Sequence, residues 1–263
     1  MSGESVAPGS PGTALITGAS AGIGAALARE FAANGHDVVL VARREERLEA
    51  LAADLESSGV TATPIAMDLD RATAAMDLHE AVTDRGLDVE ILVNNVGVGT
   101  YGPFAGSDID AERTQLRLNV VLPVELTRLF LEEFDDGGAV LNVGSTAGFQ
   151  PGPNLAGYYA SKAYINSFTE AIAEELRGEV DVTLVCPGPV ETEFQGRAGM
   201  GDSTVGSVTS NTPEAVAEAA YEGLMAGETV VFPSRLMRVV ELLGRVTPRP
   251  LVRRAAAFVN SGR

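Results

Sequence analysis

"TALITGASAGIG", residues 13–24, decides the fold. "TALIT" is a short apolar run with β-branched residues, and it leads directly into a turn carrying Gly18, Gly22 and Gly24. Beyond the turn, "IGAALAREFAANG" has the apolar spacing of a helix and closes on a glycine. A strand that enters such a turn and opens a helix lets the backbone bend tightly and approach a pyrophosphate. The phosphate charge then sits at the positive end of the helix. Glycine also serves ordinary strand–helix turns, so the position before the helix is what gives this turn its weight. Gly18, Ser20, Gly22, Ile23 and Gly24 are the candidate phosphate cradle.

Working outward, six more short apolar runs read as strands: 36–43, 61–68, 89–95, 138–145, 180–188 and 229–234. They are close to continuously hydrophobic, which suits a parallel sheet covered on both faces. Helical stretches such as "REERLEALAADLESSG" alternate with them. The pattern predicts an α/β fold, a three-layer doubly wound parallel sheet (Rossmann fold) of about seven strands with right-handed crossovers. A length of 263 residues suits one such domain, expected over 12–263. Residues 1–11 are small and polar and read as a disordered leader, with no apolar core of a signal peptide. Residues 193–213 are rich in Gly, Ser and Thr without periodicity, and a loop of that length reads as a substrate lid.

Nineteen basic against 36 acidic residues give a net charge of −17, which argues against nucleic acid as a partner. This acidity, with lysine almost absent, favours a high-salt cytoplasm over a GC-rich genome writing Arg for Lys. The single cysteine, Cys186, forms no internal disulfide and points to a reducing, cytoplasmic setting. His36 and His79 have no partner at ligand spacing, and no metal is expected. From residue 229 onward seven arginines face one acid, Glu241, a local charge of +6 that leaves −23 on the preceding 228 residues. Residues 235–263 read as a basic C-terminal helix, packed on the acidic body or a second subunit in preference to a membrane surface.

Two short stretches carry further chemistry. The second strand ends in "VARR", where an enzyme using NAD places an acid for the ribose hydroxyls. Arg43 and Arg44 suit a 2′-phosphate, because a planar guanidinium grips phosphate oxygens in pairs. "RREER" could also be a solvated helix start, but two cations there oppose the helix dipole. The expected cofactor is therefore NADP(H), with NAD(H) second. "GYYASKAY", residues 157–164, holds Lys162, the one lysine among nineteen basic residues. Tyr158 and Tyr159 stand four and three residues before it, and helix geometry permits either pairing.

"TGASAGIG", "NNVG" (94–97), Asn119 in "LRLNVVLP", Ser145 in "LNVGS", "YYASK" and "PGPVET" (187–192) occur in order and in register over 12–192. In this the chain resembles the single-domain short-chain dehydrogenase/reductase family, with TGxxxGxG and YxxxK motifs. The resemblance implies a catalytic tetrad of Asn119, Ser145, Tyr158 and Lys162. Its serine stands thirteen residues before the tyrosine, which selects Tyr158 and leaves Tyr159 as a packing or substrate-side residue. It further implies that Asp68 and Leu69 meet the adenine, and that Asn94 and Gly97 lie along the cofactor. Pro187, Gly188, Val190 and Thr192 would shape the nicotinamide pocket, and Tyr158 and Lys162 would touch the cofactor too. Two departures stand out: Val96 replaces the usual Ala, and Ala21 replaces a basic residue common in members that use NADP.

In those roles Ser145 holds a substrate carbonyl, Tyr158 gives its oxygen a proton, and carbon receives hydride from the nicotinamide. Work near neutrality asks the phenol to fall about three units, or about 4 kcal/mol. One ammonium ~4 Å away at an effective dielectric of ~20 supplies about that much. The expected activity is interconversion of a ketone or aldehyde and an alcohol, by an enzyme forming a homodimer or homotetramer. The alternatives are a 3-oxoacyl-thioester reductase and a catalytically silent cofactor-binding regulator.

Overall fold

The computed structural model describes residues 11–134, 137–190, 193 and 211–261. Residues 1–10 of the leader expected over 1–11, most of the lid expected over 193–213, and Thr192 lie outside these residues.

All seven expected strands form, each shorter than its apolar run, the last, in proportion, most of all. They are β1 (Thr13–Thr17), β2 (Asp37–Ala42), β3 (Ala62–Ala66), β4 (Val89–Asn94), β5 (Ala139–Val143), β6 (Asp181–Val185) and β7 (Val230–Val231). They pair in parallel in the order β3-β2-β1-β4-β5-β6-β7. The alternation of side chains explains the near-continuous hydrophobicity. Ala14 and Ile16 of β1 face one core with Val38 and Leu40 of β2, while Leu15, Val39 and Val41 face the other. The first core is closed by α1 (Gly22–Ala33), α2 (Glu45–Glu56) and, late in the chain, α7 (Pro213–Met225). The second is closed by α3 (Ala74–Thr83) and α5 (Leu122–Phe130). Between them lies α4 (Ile109–Leu116), and α6 (Ala156–Glu175) covers β5 and β6. Phe31 and Phe130 are fully buried, one in each core, and each contributes about 1.5–3 kcal/mol by that burial.

His36 is part of this packing. Its ring nitrogens lie 3.1 Å from the Gly12 carbonyl and 3.1 Å from the Tyr221 hydroxyl, tying the start of β1 to α7. Burial holds its pKa below the usual imidazole range.

Strand order reverses between β1 and β4, so the loops leaving β1 and β4 diverge and open a crevice at the carboxyl edge of the sheet. The C-terminal tail crosses this edge. It forms two helices rather than the expected one, α8 (Arg235–Val246) and α9 (Arg249–Val259). Pro248 supplies the break: it lacks an N–H, and the preceding Thr247 is extended at φ −80°, ψ 133°. Among the described residues, no helix is long and apolar enough to cross a membrane.

Candidate active site

The crevice is a cleft of about 1010 Å³. Its floor is the glycine turn. Gly18 has φ +73°, a left-handed conformation that a side chain would strain, and a Cβ there would stand 2.8 Å from the Asn95 amide nitrogen. A Cβ on Gly24 would come within 2.3 Å of the Gly18 carbonyl, so α1 can lie this close only without one. No side chain caps the first turn of α1, whose N–H donors are left for an anion. A dinucleotide pyrophosphate fits this cradle. Ser20, Gly22 and Ile23 line the cleft.

At the β2 end of the cleft Arg44 donates to the Ser20 hydroxyl over 2.9 Å and to Glu193 over 2.8 Å. Arg47 donates to the other oxygen of Glu193 over 2.7 Å. The two guanidiniums hold the Glu193 carboxyl well below the usual range, at about 2. Arg43, which is exposed, also lines the cleft here, as do Asp68 and Leu69. "RREER" is therefore more than a solvated helix start, since Arg44 turns back onto the glycine turn.

At the opposite end the structure brings together Gly97, Ser145, Tyr158, Lys162, Pro187, Gly188 and Val190. Ser145 caps the short 3-10 turn Thr146–Phe149, accepting from the Ala147 N–H at 3.1 Å. Its side chain also hydrogen-bonds that of Tyr158. Lys162 is 6% exposed and donates to the Val143 carbonyl over 2.8 Å. Gly97 lies against it, since a Cβ there would be 3.6 Å from the ammonium.

Three of the expected site residues stand elsewhere or beyond the described chain. Asn94 does not reach the cleft. It is buried, donating to Asn142 over 2.9 Å and to Thr127 over 3.1 Å, and so joins β4, β5 and α5. Its neighbour Asn95 turns the other way at the strand end, lines the cleft and donates to the Thr17 carbonyl over 2.8 Å. Asn119 sits behind the cleft wall in a π-helical turn, Arg117–Val121, a rare geometry found mostly at functional sites. Its amide accepts from the Val98 N–H at 2.9 Å and donates to the Val98 carbonyl at 2.8 Å, which holds the 97–99 loop against Lys162. Thr192 is the third, outside the described residues.

The tyrosine pair separates clearly. Tyr158 meets Ser145, whereas the Tyr159 hydroxyl donates to the Asn260 amide oxygen over 3.4 Å. Asn260 is a clip at the end of α9. It is buried, it accepts from Tyr101 at 2.9 Å and Asn154 at 3.1 Å, and it donates to Pro153 over 3.0 Å. Tyr159 thus anchors the tail.

Matching this geometry, the family model for short chain dehydrogenases fits residues 12–202. The chain belongs to the short-chain dehydrogenase/reductase family. It is an oxidoreductase of that family acting on CH–OH groups, with a nicotinamide cofactor and a small-molecule substrate. Among similar proteins is a short chain dehydrogenase of Pseudocercospora fijiensis, 37% identical over 69% of this chain and 60% of its own length. The NADPH-dependent 3-dehydrocapnine reductase of Ornithobacterium rhinotracheale is 31% identical over 94% of this chain and 92% of its own. A solved short-chain dehydrogenase from Sphingobium yanoikuyae in complex with NADPH superposes with a TM-score of 0.78. It is 33% identical and covers 90% of this chain and 93% of its own.

The electrostatics of this dehydrogenase differ from the sequence-based expectation. Burial pushes the Tyr158 phenol up, to about 12, opposed by its hydrogen bond to Ser145. Burial pulls the Lys162 ammonium down to about 8, with Cys186 acting the other way. The protein side chains by themselves therefore keep Tyr158 a neutral phenol, able to donate a proton. Lys162 is the only lysine, so protein labelled with ¹⁵N-lysine gives one side-chain signal. Its titration midpoint is expected near 8, and a midpoint near the ordinary 10.5 overturns the burial account. Between pH 10.5 and 8 the unfolded chain binds this proton more readily, so the native state loses about 3 kcal/mol relative to Lys162→Met as pH falls. Below about pH 8 the gap is constant.

Proposed function

We propose that this chain is an NADP-dependent carbonyl reductase, or alcohol dehydrogenase in reverse, with Tyr158 as its general acid and base. The observation that carries this is the shared hydrogen bond of Ser145 and Tyr158, one turn of helix from the buried Lys162, at one end of a dinucleotide-sized cleft. Ser145 holds the substrate carbonyl and Tyr158 protonates its oxygen. Lys162, one helical turn from Tyr158 and buried, would supply a cation for the phenol and for a cofactor ribose, and Asn119 positions the loop against it. The cofactor, when bound, supplies the hydride. Asn95, in place of Asn94, is the polar side chain at the cleft floor.

NADP over NAD is supported by Arg44 and Arg43 at the β2 end and by the NADPH named for two of the similar proteins. A cytoplasmic setting is supported by Cys186, a buried free thiol. Exposed apolar side chains on α4, the π-helical turn and α6, among them Ile109, Leu116, Val121 and Tyr164, support a homodimer or homotetramer. The test is a panel of ketones, aldehydes and alcohols with NADPH and NADH, at low salt and in molar KCl, read at the nicotinamide absorbance band. Turnover is expected with NADPH and neutral ketones. No absorbance change with any member overturns the proposal.

A further inference from the structure

Four residues of α8 spaced i, i+3, i+4 and i+7 line the cleft: Met237, Val240, Glu241 and Gly244. Met237 rests on Gly188, where an added Cβ would stand 3.0 Å from the methionine Cγ. The helix therefore roofs the end of the cleft that holds Ser145 and Tyr158. Val240 is 48% exposed and Val259, at the end of α9, is 45% exposed, yet both line the cleft. Its mouth thus runs between the two helices and opens onto the apolar surface of Val239, Leu243 and Phe258.

Gly244 lies in that mouth. Glycine inside a helix is less stable than alanine. Nothing local requires it here: its φ is not positive, and a Cβ would meet no atom within 4 Å. A bare backbone at this point leaves the mouth open. Charge narrows the ligand further. Among the described lining residues the basic groups are Arg43 and Arg44 at the far end and Lys162. Glu241, 6% exposed, is the charged side chain of the α8 face. Among the described lining residues no basic side chain stands at this end except Lys162, so the α8 face offers an anionic substrate no cation.

We infer that the gap between α8 and α9 is a subsite for the alkyl chain of a neutral long-chain ketone. The carbonyl lies at Ser145 and Tyr158, and the chain leaves over Val240, Gly244 and Val259. This rests on the carbonyl reductase function proposed above. The experiment is a series of methyl ketones from 2-butanone to 2-undecanone, assayed with NADPH on the native protein, Gly244→Ala and Gly244→Phe. Acetoacetate serves as the anionic comparison. kcat/KM is expected to rise about twofold per methylene, as for half-buried methylenes, and about 30-fold or more over the series. Gly244→Phe should cut the ratio of 2-undecanone to 2-butanone at least ~10-fold, Gly244→Ala should keep the series rising, and acetoacetate should be poorer than 2-butanone. A flat series, or a ratio untouched by Gly244→Phe, overturns the subsite.

Calorimetric titration of 2-undecanone and 2-butanone into the NADPH-loaded protein separates the two claims. Length-dependent binding that Gly244→Phe abolishes, without turnover of any ketone, upholds the subsite and sinks the reductase. Turnover without length preference does the reverse. Neither binding nor turnover removes both.

Discussion

Tyr158→Phe is expected to lower kcat by about 10³-fold, within the range that a positioned general acid contributes. The change removes one oxygen from a side chain whose ring is already packed edge-on against Tyr159, with centroids 6.2 Å apart. Phenylalanine keeps that packing, so the fold and the cofactor cleft should survive. NADPH affinity, read by fluorescence, should stay within about threefold, because the phosphate cradle and the Arg44 end are far along the cleft. Tyr159→Phe is the matched control. Its hydroxyl is engaged by Asn260 and not by Ser145, so kcat should remain within about threefold. A Tyr158→Phe protein that keeps a tenth of the native kcat overturns the acid–base assignment. Equal losses in the two variants would do so as well.

Arg44→Asp is the second large effect, and it falls on cofactor choice. Arg44 is anchored on Ser20 beside the glycine turn, where the guanidinium can meet a 2′-phosphate without first being positioned. Aspartate removes charge-assisted hydrogen bonds to that phosphate, repels it, and offers acceptors to the ribose hydroxyls of NAD. About 4 kcal/mol of discrimination is at stake, or about a thousandfold in the NADPH-to-NADH ratio of kcat/KM. Thermal stability should barely move, since the Arg44–Glu193 pair is solvent-exposed and worth little. A ratio that stays within about threefold of native would remove Arg44 as the selector.

The local parts of this protein were legible in its sequence because local physics writes them there. Strand runs, the glycine turn and the helix periods each depend on neighbours within a few residues. The break at Pro248 was legible by the same rule, although the near-helical spacing of the tail masked it. Asn94 and Asn95 show where such reading stops. Both end the same apolar run; alternation along β4 sends one into the core beside α5 and the other towards β1, and only the packing shows which of those sides opens on the cleft. The effect of burial on Tyr158 and Lys162 was not legible either, because charge spacing is visible in a sequence and desolvation is not.

By itself, then, the sequence determined a seven-stranded parallel sheet, a glycine turn that opens a helix, and a tyrosine and lysine one helical turn apart. Tertiary structure alone decided what closes the cleft. Tyr159 and Asn260 stand 101 residues apart and meet through a hydrogen bond, while Met237 and Gly188 meet across a helix and a sheet edge. Contacts of that kind follow no period along the chain. They exist only because packing the two cores brings the tail back over the carboxyl ends of the strands.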